Sequence, residues 1–521
     1  MNTTAYNPMT WFPDWMNNAS ELGFTMSKAL MEGIQAAQIH TNGVNKYLDE
    51  FNIPFEISFN AFNEREKEKV KTNSLQRTMQ DYYELLLFNL QVAENGGVGT
   101  FKVMNSFYVQ KAEDAFSAWL NTCFGRKGDN IADFATQQRQ LLEKVIYTYP
   151  EAIKAVRPEF GFHFDNGGYI KTAETDRFDL FQVLPTDKNV TVRADGKPVI
   201  IVHPYVLGAN ILAFLPNENR SYVHAFANQG IPTYVRVIKD INNTPAAQIL
   251  TGEDDARDTR FFCEKVKAIH GREVTLNGFC QGGFVAVANI LSGELDGLVD
   301  ALITCVAPMD GTRSQSLVEY MQHLPPRFRD LGYAVKSLPS GNQIVDGKVM
   351  SWVYKLKSME REAPLFSLYR DLMMFDRPGS HTKPISKTAA AINHWLIYDR
   401  NDLPVDITQM SFDSYTIPVT AEGALPFKLF GRELNFKRLA AKNIPFLICY
   451  AKGDDLVDAP SALAPLDFID AEVTVFPKGH GSIATSWSDP SSACALHTRF
   501  DDNQRGPVRF QLDLEKTVAK E

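Results

Sequence analysis

One hexapeptide restricts the fold of this chain more than any other part of its sequence. The run Gly278-Phe-Cys280-Gln-Gly282-Gly283 follows an apolar β-type segment, 274–276, and opens an apolar helical segment, 284–291. Glycines on both sides of a cysteine let a strand, a turn and a helix approach closely, as a sharp corner that carries a nucleophile requires. A sulfur at the start of a helix also lies at the positive end of the helix dipole, which favours the thiolate. The motif predicts that Cys280 is a nucleophile; the alternative is a buried structural cysteine.

Short β-type runs alternate with helical stretches on both sides of this motif. Such alternation predicts βαβ units, with a parallel sheet that carries helices on both faces. The alternation stops after residue 305 and resumes at residue 446, and so long an insertion between two strands is typical of a lid over the strand ends. Strands are predicted at two places within 169–184 and at 199–202, 233–238, 274–276, 301–305, 446–450 and 473–476.

These patterns divide the chain into four predicted segments. They are a mainly helical N-terminal domain (1–158), the first part of an α/β core (159–313), an inserted lid or cap that covers Cys280 (314–440), and the second part of the core with a C-terminal tail (441–521).

The N-terminal segment carries apolar residues at helical spacing. Leu22, Met26, Leu30 and Ile34 recur every four residues, as one stripe of a helix does, and Asn95-Gly96-Gly97 predicts a loop between later helices. Aromatic residues are frequent in the same segment and are interpreted as the core of a helical domain; they are Trp11, Phe12, Trp15, Tyr82, Tyr83, Phe107, Tyr108 and Trp119. The alternative is that some of them dock on a hydrophobic partner or granule surface.

Composition disfavours several classes of protein. Acidic residues outnumber basic ones, 62 to 53, and a formal charge of −9 without a basic cluster disfavours nucleic-acid binding, because that affinity comes largely from neutralising phosphates. The six cysteines include no Cys-x-x-Cys pair, and there is no His-x-x-x-His, so neither a metal nor a disulfide framework is predicted. The first residues do not resemble a signal peptide, and no apolar run approaches the ~20 residues of a membrane helix. A soluble cytoplasmic protein without a transmembrane segment is expected.

A cysteine nucleophile needs a base, and the base needs a carboxylate that orients it. Asp454 and Asp455 follow the strand predicted to end at residue 450, and His480 follows the next predicted strand. The order nucleophile, acid, histidine is that of the α/β-hydrolase fold. It predicts a triad of Cys280, Asp454 and His480, with Asp455 and Asp458 as alternatives for the acid.

An oxyanion hole requires two backbone N–H groups aimed at the developing negative charge. One is expected from Gln281, the residue after the nucleophile. The other is expected from the loop 203–208, which follows the strand at 199–202, and Val206 is the predicted donor. His203 and Tyr205 in this loop are candidates for substrate binding; the alternative is that they only pack beneath the lid.

These motifs resemble those of the poly(3-hydroxyalkanoate) synthases, which are α/β-hydrolase-fold acyltransferases with a Gly-x-Cys-x-Gly-Gly elbow. The similarity runs from about Phe160 to His480. It includes the elbow at 278–283, a loop and Pro-Glu-Asn-Ser-like stretch at 203–221, an Asp-x-Ile-Val-like motif at 454–457 and the Gly-His at 479–480. The family's lid motif, Trp-Asn-x-Asp-x-Thr-x-Leu-Pro, is similar to residues 396–404, and this similarity makes Asp399 a further candidate for substrate binding. The chain departs from the family at Asp240, where the family has tryptophan.

The resemblance implies an acyltransferase in which Cys280 carries a growing polyester as a thioester. In that family the histidine, here His480, activates the cysteine, and the aspartate, here Asp454, supports the histidine or the incoming hydroxyl. A 3-hydroxyacyl-coenzyme A is the implied substrate, without a separate cofactor, and the implied partners are a polyester chain or granule surface and a second copy in a homodimer. Two alternatives remain: a cysteine-dependent (poly)ester hydrolase that admits water to the same triad, and a non-catalytic granule-associated protein.

Overall fold

The strands that the sequence predicts assemble into one mixed sheet. The strands of this computed structural model, numbered in chain order, are β1 (Tyr169–Glu174), β2 (Phe178–Val183), β3 (Val199–Val202), β4 (Thr233–Ile238), β5 (Val274–Phe279), β6 (Val299–Cys305), β7 (Val335–Ser337), β8 (Gln343–Val345), β9 (Leu403–Pro404), β10 (Ala424–Leu429), β11 (Arg432–Asn435), β12 (Phe446–Ala451) and β13 (Glu472–Phe476). Eight of them form the central sheet in the order β1-β2-β4-β3-β5-β6-β12-β13. β2 is antiparallel to both β1 and β4, and the remaining neighbours are parallel.

This strand order confirms the predicted α/β-hydrolase fold. β4 lies between β2 and β3, so the connection from β4 to β5 crosses over β3. The central strands are buried on both faces, as all four residues of β3 and all six of β5 show. β-Branched and aromatic side chains suit such strands, because strands covered by helices on both faces have no polar face.

Helices make up most of the remaining described chain. The structure describes residues 8–323, 331–355, 363–377 and 383–485, with 488–489, 491–492, 495–496 and 507–512. The α-helices in these residues are Pro8–Val70, Leu75–Phe124, Ile131–Glu143, Tyr149–Ala155, Tyr222–Ala227, Pro245–Gln248, Gly252–His270, Gln281–Ser292, Gln315–His323, Gly347–Lys355, Pro364–Phe375, Lys387–Tyr398, Val405–Thr416, Lys437–Ala441, Ala459–Ala462 and Ser482–Thr485. Within the same residues, no helix combines the length and the apolarity that crossing a bilayer requires.

The chain divides into two units, and their boundaries differ from the four predicted segments. One unit comprises residues 1–60, 66–155 and 358–390, and the other comprises 61–65, 156–357 and 391–521. The predicted insertion, 314–440, is therefore split, because its residues 358–390 group with the N-terminal helices. Its other part adds two small sheets that the sequence patterns did not predict, β7-β8-β9 and β10-β11.

The first unit is helical, as predicted. Ser74 caps the start of the helix Leu75–Phe124, because its side chain accepts a hydrogen bond from the N–H of Arg77, and Gly125 ends the helix with a left-handed φ of 55°. This helix runs without interruption through Asn95-Gly96-Gly97, so the loop predicted there is wrong. A core of this unit consists of Phe107, Leu141, Val145, Ile146, Leu368, Tyr369 and Leu372.

The apolar stripe near the start of the chain is not part of that core. Leu22, Met26, Leu30 and Ile34 are 42%, 47%, 65% and 58% exposed. Of the aromatic residues interpreted as core, Phe107 lies in the core of this unit, whereas Tyr82, Tyr83, Tyr108 and Trp119 are exposed, so among the side chains that the structure describes the interpretation is confirmed for Phe107 and wrong for the other four. The spacing correctly predicted a helix, but spacing alone does not say whether a neighbour covers the apolar face.

Candidate active site

Cys280 occupies the sharp turn between β5 and the helix Gln281–Ser292. Its backbone has a φ of 53° and a ψ of −125°, a conformation that a residue with a side chain rarely adopts. The turn is held in place because the N–H of Cys280 donates a hydrogen bond of 2.7 Å to the carbonyl oxygen of Cys305, at the end of β6. Strained backbone of this kind persists only where the surrounding structure enforces it, and it is common at functional sites.

The glycines of the hexapeptide are required by close backbone approaches. A Cβ atom built on Gly278 would lie 2.3 Å from the Cα of Gly283. A Cβ built on Gly282 would lie 2.3 Å from the carbonyl oxygen of Val202, at the end of β3. The helix therefore begins directly against the loop that follows β3. A sharp strand–turn–helix corner of this kind is the geometry that a nucleophile elbow requires.

His480 and Asp454 meet beyond the ends of β13 and β12. The Nδ1 atom of His480 lies 2.8 Å from Oδ2 of Asp454, at hydrogen-bonding distance. The other carboxylate oxygen, Oδ1, accepts hydrogen bonds of 2.9 Å from the N–H groups of Leu456 and Val457. Both carboxylate oxygens of Asp454 are thus engaged, one by the imidazole and the other by two backbone N–H groups.

The two alternative acids lie elsewhere. Asp455 is exposed. Asp458 accepts a hydrogen bond of 3.1 Å from the N–H of Ser316. Of the three aspartates that the sequence left open, the structure therefore places Asp454 against the histidine.

The electrostatics of the site favour an imidazolium at His480. Burial alone would lower its pKa, but the negative charges of a Cys280 thiolate and of the Asp454 carboxylate outweigh burial and raise the pKa to about 10. The second ring nitrogen, Nε2, is buried and has no hydrogen-bond partner among the residues that the structure describes. His480 can therefore hold a proton beside the sulfur, and Cys280 itself is only 6% exposed. The structure thus brings His480 against Asp454, with Cys280 close enough to raise the pKa of His480; the catalytic roles of the three residues stay a prediction.

The two predicted oxyanion donors lie on either side of the elbow. The N–H of Gln281 is at the first position of its helix, where no intrahelical acceptor exists. The N–H of Val206 donates a hydrogen bond of 3.2 Å to Oε1 of the Gln281 side chain. The amide nitrogen of the same side chain donates to Oγ of Ser411, on the helix Val405–Thr416. A role for Gln281 and Val206 as oxyanion donors stays a prediction.

His203 and Tyr205 are engaged by the protein itself. His203 Nδ1 donates to the carbonyl oxygen of Pro204 at 2.9 Å, and its Nε2 accepts from the N–H of Ile238 at 3.4 Å. Burial lowers the pKa of His203 to about 4, so the ring is neutral. The hydroxyl of Tyr205 donates to the carboxylate of Asp255. These contacts favour the alternative in which both side chains serve the packing of the loop.

Asp255 belongs to a buried ion pair that sequence reasoning missed. Arg236 Nη1 donates to Oδ1 of Asp255 at 2.8 Å, and the two side chains are 1% and 0% exposed. A second donor on Arg236, Nη2, lies 3.3 Å from the hydroxyl of Tyr205. The ion pair therefore anchors the loop after β3. A signal was present, since Arg236 is a charged residue in the middle of an otherwise apolar predicted strand.

Asp399 borders the same loop. Its Oδ1 accepts a hydrogen bond of 3.1 Å from Asn210, and its Oδ2 is buried without a hydrogen-bond partner in the described part of the chain. A Cβ built on Gly208 would lie 3.2 Å from that Oδ2. Burial raises the pKa of Asp399 to about 6, against the opposing effects of Asn210 and Arg400. Its predicted role in substrate binding is not decided by these contacts.

Comparisons with known proteins leave the family open. A scan against protein-family models gives no match, and a search of curated proteins gives none either. Among solved structures, the chain is similar to a putative aryl esterase from Burkholderia cenocepacia, with 15% identity over 68% of this chain and 98% of that chain, and a TM-score of 0.34. An esterase from Thermogutta terrifontis matches with 14% identity over 61% of this chain and 93% of that chain, and a TM-score of 0.31.

A third similar structure is a 2-hydroxy-6-oxo-6-phenylhexa-2,4-dienoate hydrolase from a Rhodococcus species. It shares 10% identity over 61% of this chain and 94% of that chain, with a TM-score of 0.31. Global similarity this low carries no argument about the fold or the function. The fold assignment depends instead on the strand order and the elbow.

Within the described residues, no group of three or more His, Cys, Asp or Glu side chains could hold a metal ion.

Proposed function

We propose that this chain is a cysteine-dependent acyltransferase that moves 3-hydroxyacyl groups from coenzyme A onto a growing polyester. The observation that carries the proposal is the 2.8 Å contact between Asp454 and His480 beside the elbow of Cys280. The substrate class comes from the sequence resemblance to the poly(3-hydroxyalkanoate) synthases. Cytoplasmic location, association with a polyester granule and a homodimer belong to the same proposal.

The first half-reaction loads the acyl group onto the enzyme. The Cys280 thiolate attacks the thioester carbonyl, a C–S bond forms, and the carbonyl oxygen becomes an oxyanion. Two backbone N–H groups, those of Gln281 and Val206, would stabilise this charge. The bond to the sulfur of coenzyme A then breaks, and the coenzyme A thiolate takes the proton that the His480 imidazolium held. Cys280 is left as a thioester, and His480 is neutral.

The second half-reaction transfers the acyl group to an alcohol. Neutral His480 accepts the proton of an incoming hydroxyl through Nε2 as the hydroxyl oxygen attacks the Cys280 thioester. The C–S bond breaks, the thiolate is restored beside the new imidazolium, and an ester remains. Asp454 takes no direct part in the proton transfer from the hydroxyl to His480, because its oxygens are already engaged by His480 and by two backbone N–H groups. Its role is to orient the imidazole and to stabilise its positive charge.

The choice of sulfur supports transfer over hydrolysis. Exchange between coenzyme A and Cys280 converts one thioester into another, so the intermediate forms at little cost in free energy. The buried positions of Cys280 and His480 limit the access of water to that intermediate. Both features favour an alcohol acceptor that the protein binds, rather than bulk water.

The proposal is tested by incubating the purified protein with 3-hydroxybutyryl-coenzyme A. Free coenzyme A, free 3-hydroxybutyrate and precipitable polyester are measured in the same quenched samples. An acyltransferase releases coenzyme A in step with polyester, whereas a hydrolase releases coenzyme A in step with free acid. Release of neither product, with no acyl adduct on Cys280 by mass spectrometry, would contradict both enzymatic functions.

A further inference from the structure

The side chain of Gln281 connects two segments that are distant in sequence. Its Oε1 accepts a hydrogen bond of 3.2 Å from the N–H of Val206, in the loop after β3. Its Nε2 donates to Oγ of Ser411, 130 positions further along the chain, on the helix Val405–Thr416. The side chain of Gln281, next to Cys280, thus joins the loop after β3 to a helix of the predicted insertion.

The hydrogen-bond network determines the orientation of this amide. The N–H of Val206 can only donate, so the atom that faces it must be the amide oxygen. The hydroxyl of Ser411 donates to the carbonyl oxygen of Ile407 at 3.3 Å, so it is available to accept from the amide nitrogen. Rotating the amide by half a turn would place its NH₂ group against the N–H of Val206. The oxygen of Gln281 therefore points at Val206.

This arrangement is buried and closely packed. Gln281 and Ser411 are each 2% exposed. The start of the helix that carries Gln281 lies directly against the loop, since a Cβ built on Gly282 would lie 2.3 and 2.6 Å from the carbonyl oxygens of Val202 and His203. The N–H of the half-buried Val206 is therefore occupied by the side-chain carbonyl oxygen of Gln281.

We propose that the Gln281 side chain is an internal competitor for the oxyanion hole. This inference rests on the proposed function, since it assigns the N–H of Val206 to the carbonyl oxygen of the acyl group. The amide oxygen of Gln281 resembles that carbonyl oxygen and takes its hydrogen bond in the unliganded enzyme. An acyl group must displace this amide oxygen from the N–H of Val206. Ser411 restrains the displacement, because it accepts a hydrogen bond from the amide nitrogen of the same side chain. The insertion helix thereby regulates the affinity of the site for acyl compounds.

The test compares two reagents that modify Cys280. In an acyl-like chloromethyl ketone, the sulfur displaces chloride from carbon, and the adjacent carbonyl oxygen can occupy the oxyanion hole during the attack. Methyl methanethiosulfonate transfers a CH₃S group to the sulfur and expels methanesulfinate, without any carbonyl group. The ratio of the two rates, measured by mass spectrometry on the peptide that contains Cys280, isolates the contribution of the oxyanion hole from the reactivity of the thiol.

Three variants give the expected pattern. Gln281→Met keeps the length of the side chain but removes the competing oxygen, so the ratio should rise about three- to tenfold, the range expected for one neutral hydrogen bond. Ser411→Ala removes the acceptor of the hydrogen bond from the amide nitrogen of Gln281, so it should also raise the ratio, by a smaller factor. Gln409→Met is the matched control, because Gln409 is exposed on the same helix and donates to Asp413. Its ratio should equal that of the wild type.

Substrate kinetics give a second readout. For a turned-over acyl thioester, Gln281→Met should lower KM by about the same factor by which the ratio rises, a shift that a merely structural role would not produce. An unchanged or lower ratio in both Gln281→Met and Ser411→Ala overturns the inference, and a lower ratio would mean that Gln281 holds Val206 in place for catalysis. A raised ratio in a protein that turns over no coenzyme A thioester would contradict the proposed function and leave this inference standing. If Gln281→Met does not fold, the ratio measured for Ser411→Ala alone tests the inference.

Discussion

His480 lies 2.8 Å from Asp454 because two parallel strands end side by side. β12 and β13 are paired so that Ala451 faces Phe476, and each strand continues into a short loop at the same edge of the sheet. The aspartate follows one strand and the histidine follows the other. Hydrogen bonds from the N–H groups of Leu456 and Val457 then fix the carboxylate. The geometry of the pair is a property of strand register and loop conformation together.

Replacement of Asp454 tests that pair. Asp454→Asn should lower kcat at least about 100-fold, because a neutral amide neither stabilises the imidazolium nor selects the productive tautomer of His480. The fold should be retained, since the amide oxygen can still accept from Leu456 and Val457. Turnover of 3-hydroxybutyryl-coenzyme A and circular dichroism are the measurements. Asp455→Asn, at an exposed neighbouring position, is the control and should keep activity within about twofold; equal losses in both variants would remove Asp454 from the triad.

Replacement of Cys280 tests the nucleophile. Cys280→Ala should abolish turnover and the acyl adduct, and Cys280→Ser should lose most activity, because a hydroxyl needs stronger base assistance than a thiol. Cys123→Ser, at an exposed cysteine, should leave both unchanged. Intact-protein mass spectrometry after brief exposure to 3-hydroxybutyryl-coenzyme A reports the adduct. Substantial turnover by Cys280→Ala would show that the chemistry occurs elsewhere.

The proton on His480 provides a prediction about pH. The pKa of His480 is raised to about 10 from the ordinary 6.5, so the imidazolium is fully formed below pH 6.5 and is lost as the pH rises through about 10. Its stabilising contribution to the fold follows the same window. Cys280→Ala and Asp454→Asn each remove a negative charge, so each should lower the pKa of His480.

Side-chain ¹⁵N NMR of labelled histidine measures this titration, and His480→Gln assigns the resonance. A wild-type His480 that titrates near 6.5, or a pKa of His480 that Cys280→Ala leaves unchanged, would contradict the assigned effect of Cys280 and Asp454 on this imidazole. The buried neutral ring of His203, whose pKa is lowered to about 4, serves as an internal reference that neither substitution should shift.

The buried ion pair of Arg236 and Asp255, next to the loop after β3, should be important for the stability of the fold. Asp255→Asn leaves the Arg236 guanidinium buried without its counter-charge, so the free energy of unfolding should fall by about 3–5 kcal/mol. Asp300→Asn is the control, because Asp300 pairs with Lys197 at the surface at 2.7 Å, and its loss should cost less than about 1 kcal/mol. Urea unfolding followed by tryptophan fluorescence and circular dichroism provides the comparison. Similar midpoints for Asp255→Asn and the wild type would contradict the anchoring role of the pair.

The sequence by itself determined the local elements and the order of the chemical groups. Alternating apolar runs located the strands of the central sheet, and the glycines around Cys280 predicted a strand–turn–helix corner, because close backbone approach excludes side chains there. The succession of Cys280, Asp454 and His480 after three predicted strands indicated a triad. These features depend on spacing within a few residues, which a linear pattern records.

Only the tertiary structure decided which side chains meet. The sequence favoured Asp454 but left Asp455 and Asp458 as alternatives, and the loop conformation beyond β12 places Asp454 against the histidine. The apolar stripe that includes Leu22 is exposed. The helix through Gly96 continues, because flanking helical residues outweigh the roughly 1 kcal/mol that a glycine costs. The bridge from Val206 through Gln281 to Ser411 joins three distant segments. No local pattern encodes such contacts, since they arise when separate elements pack against one another.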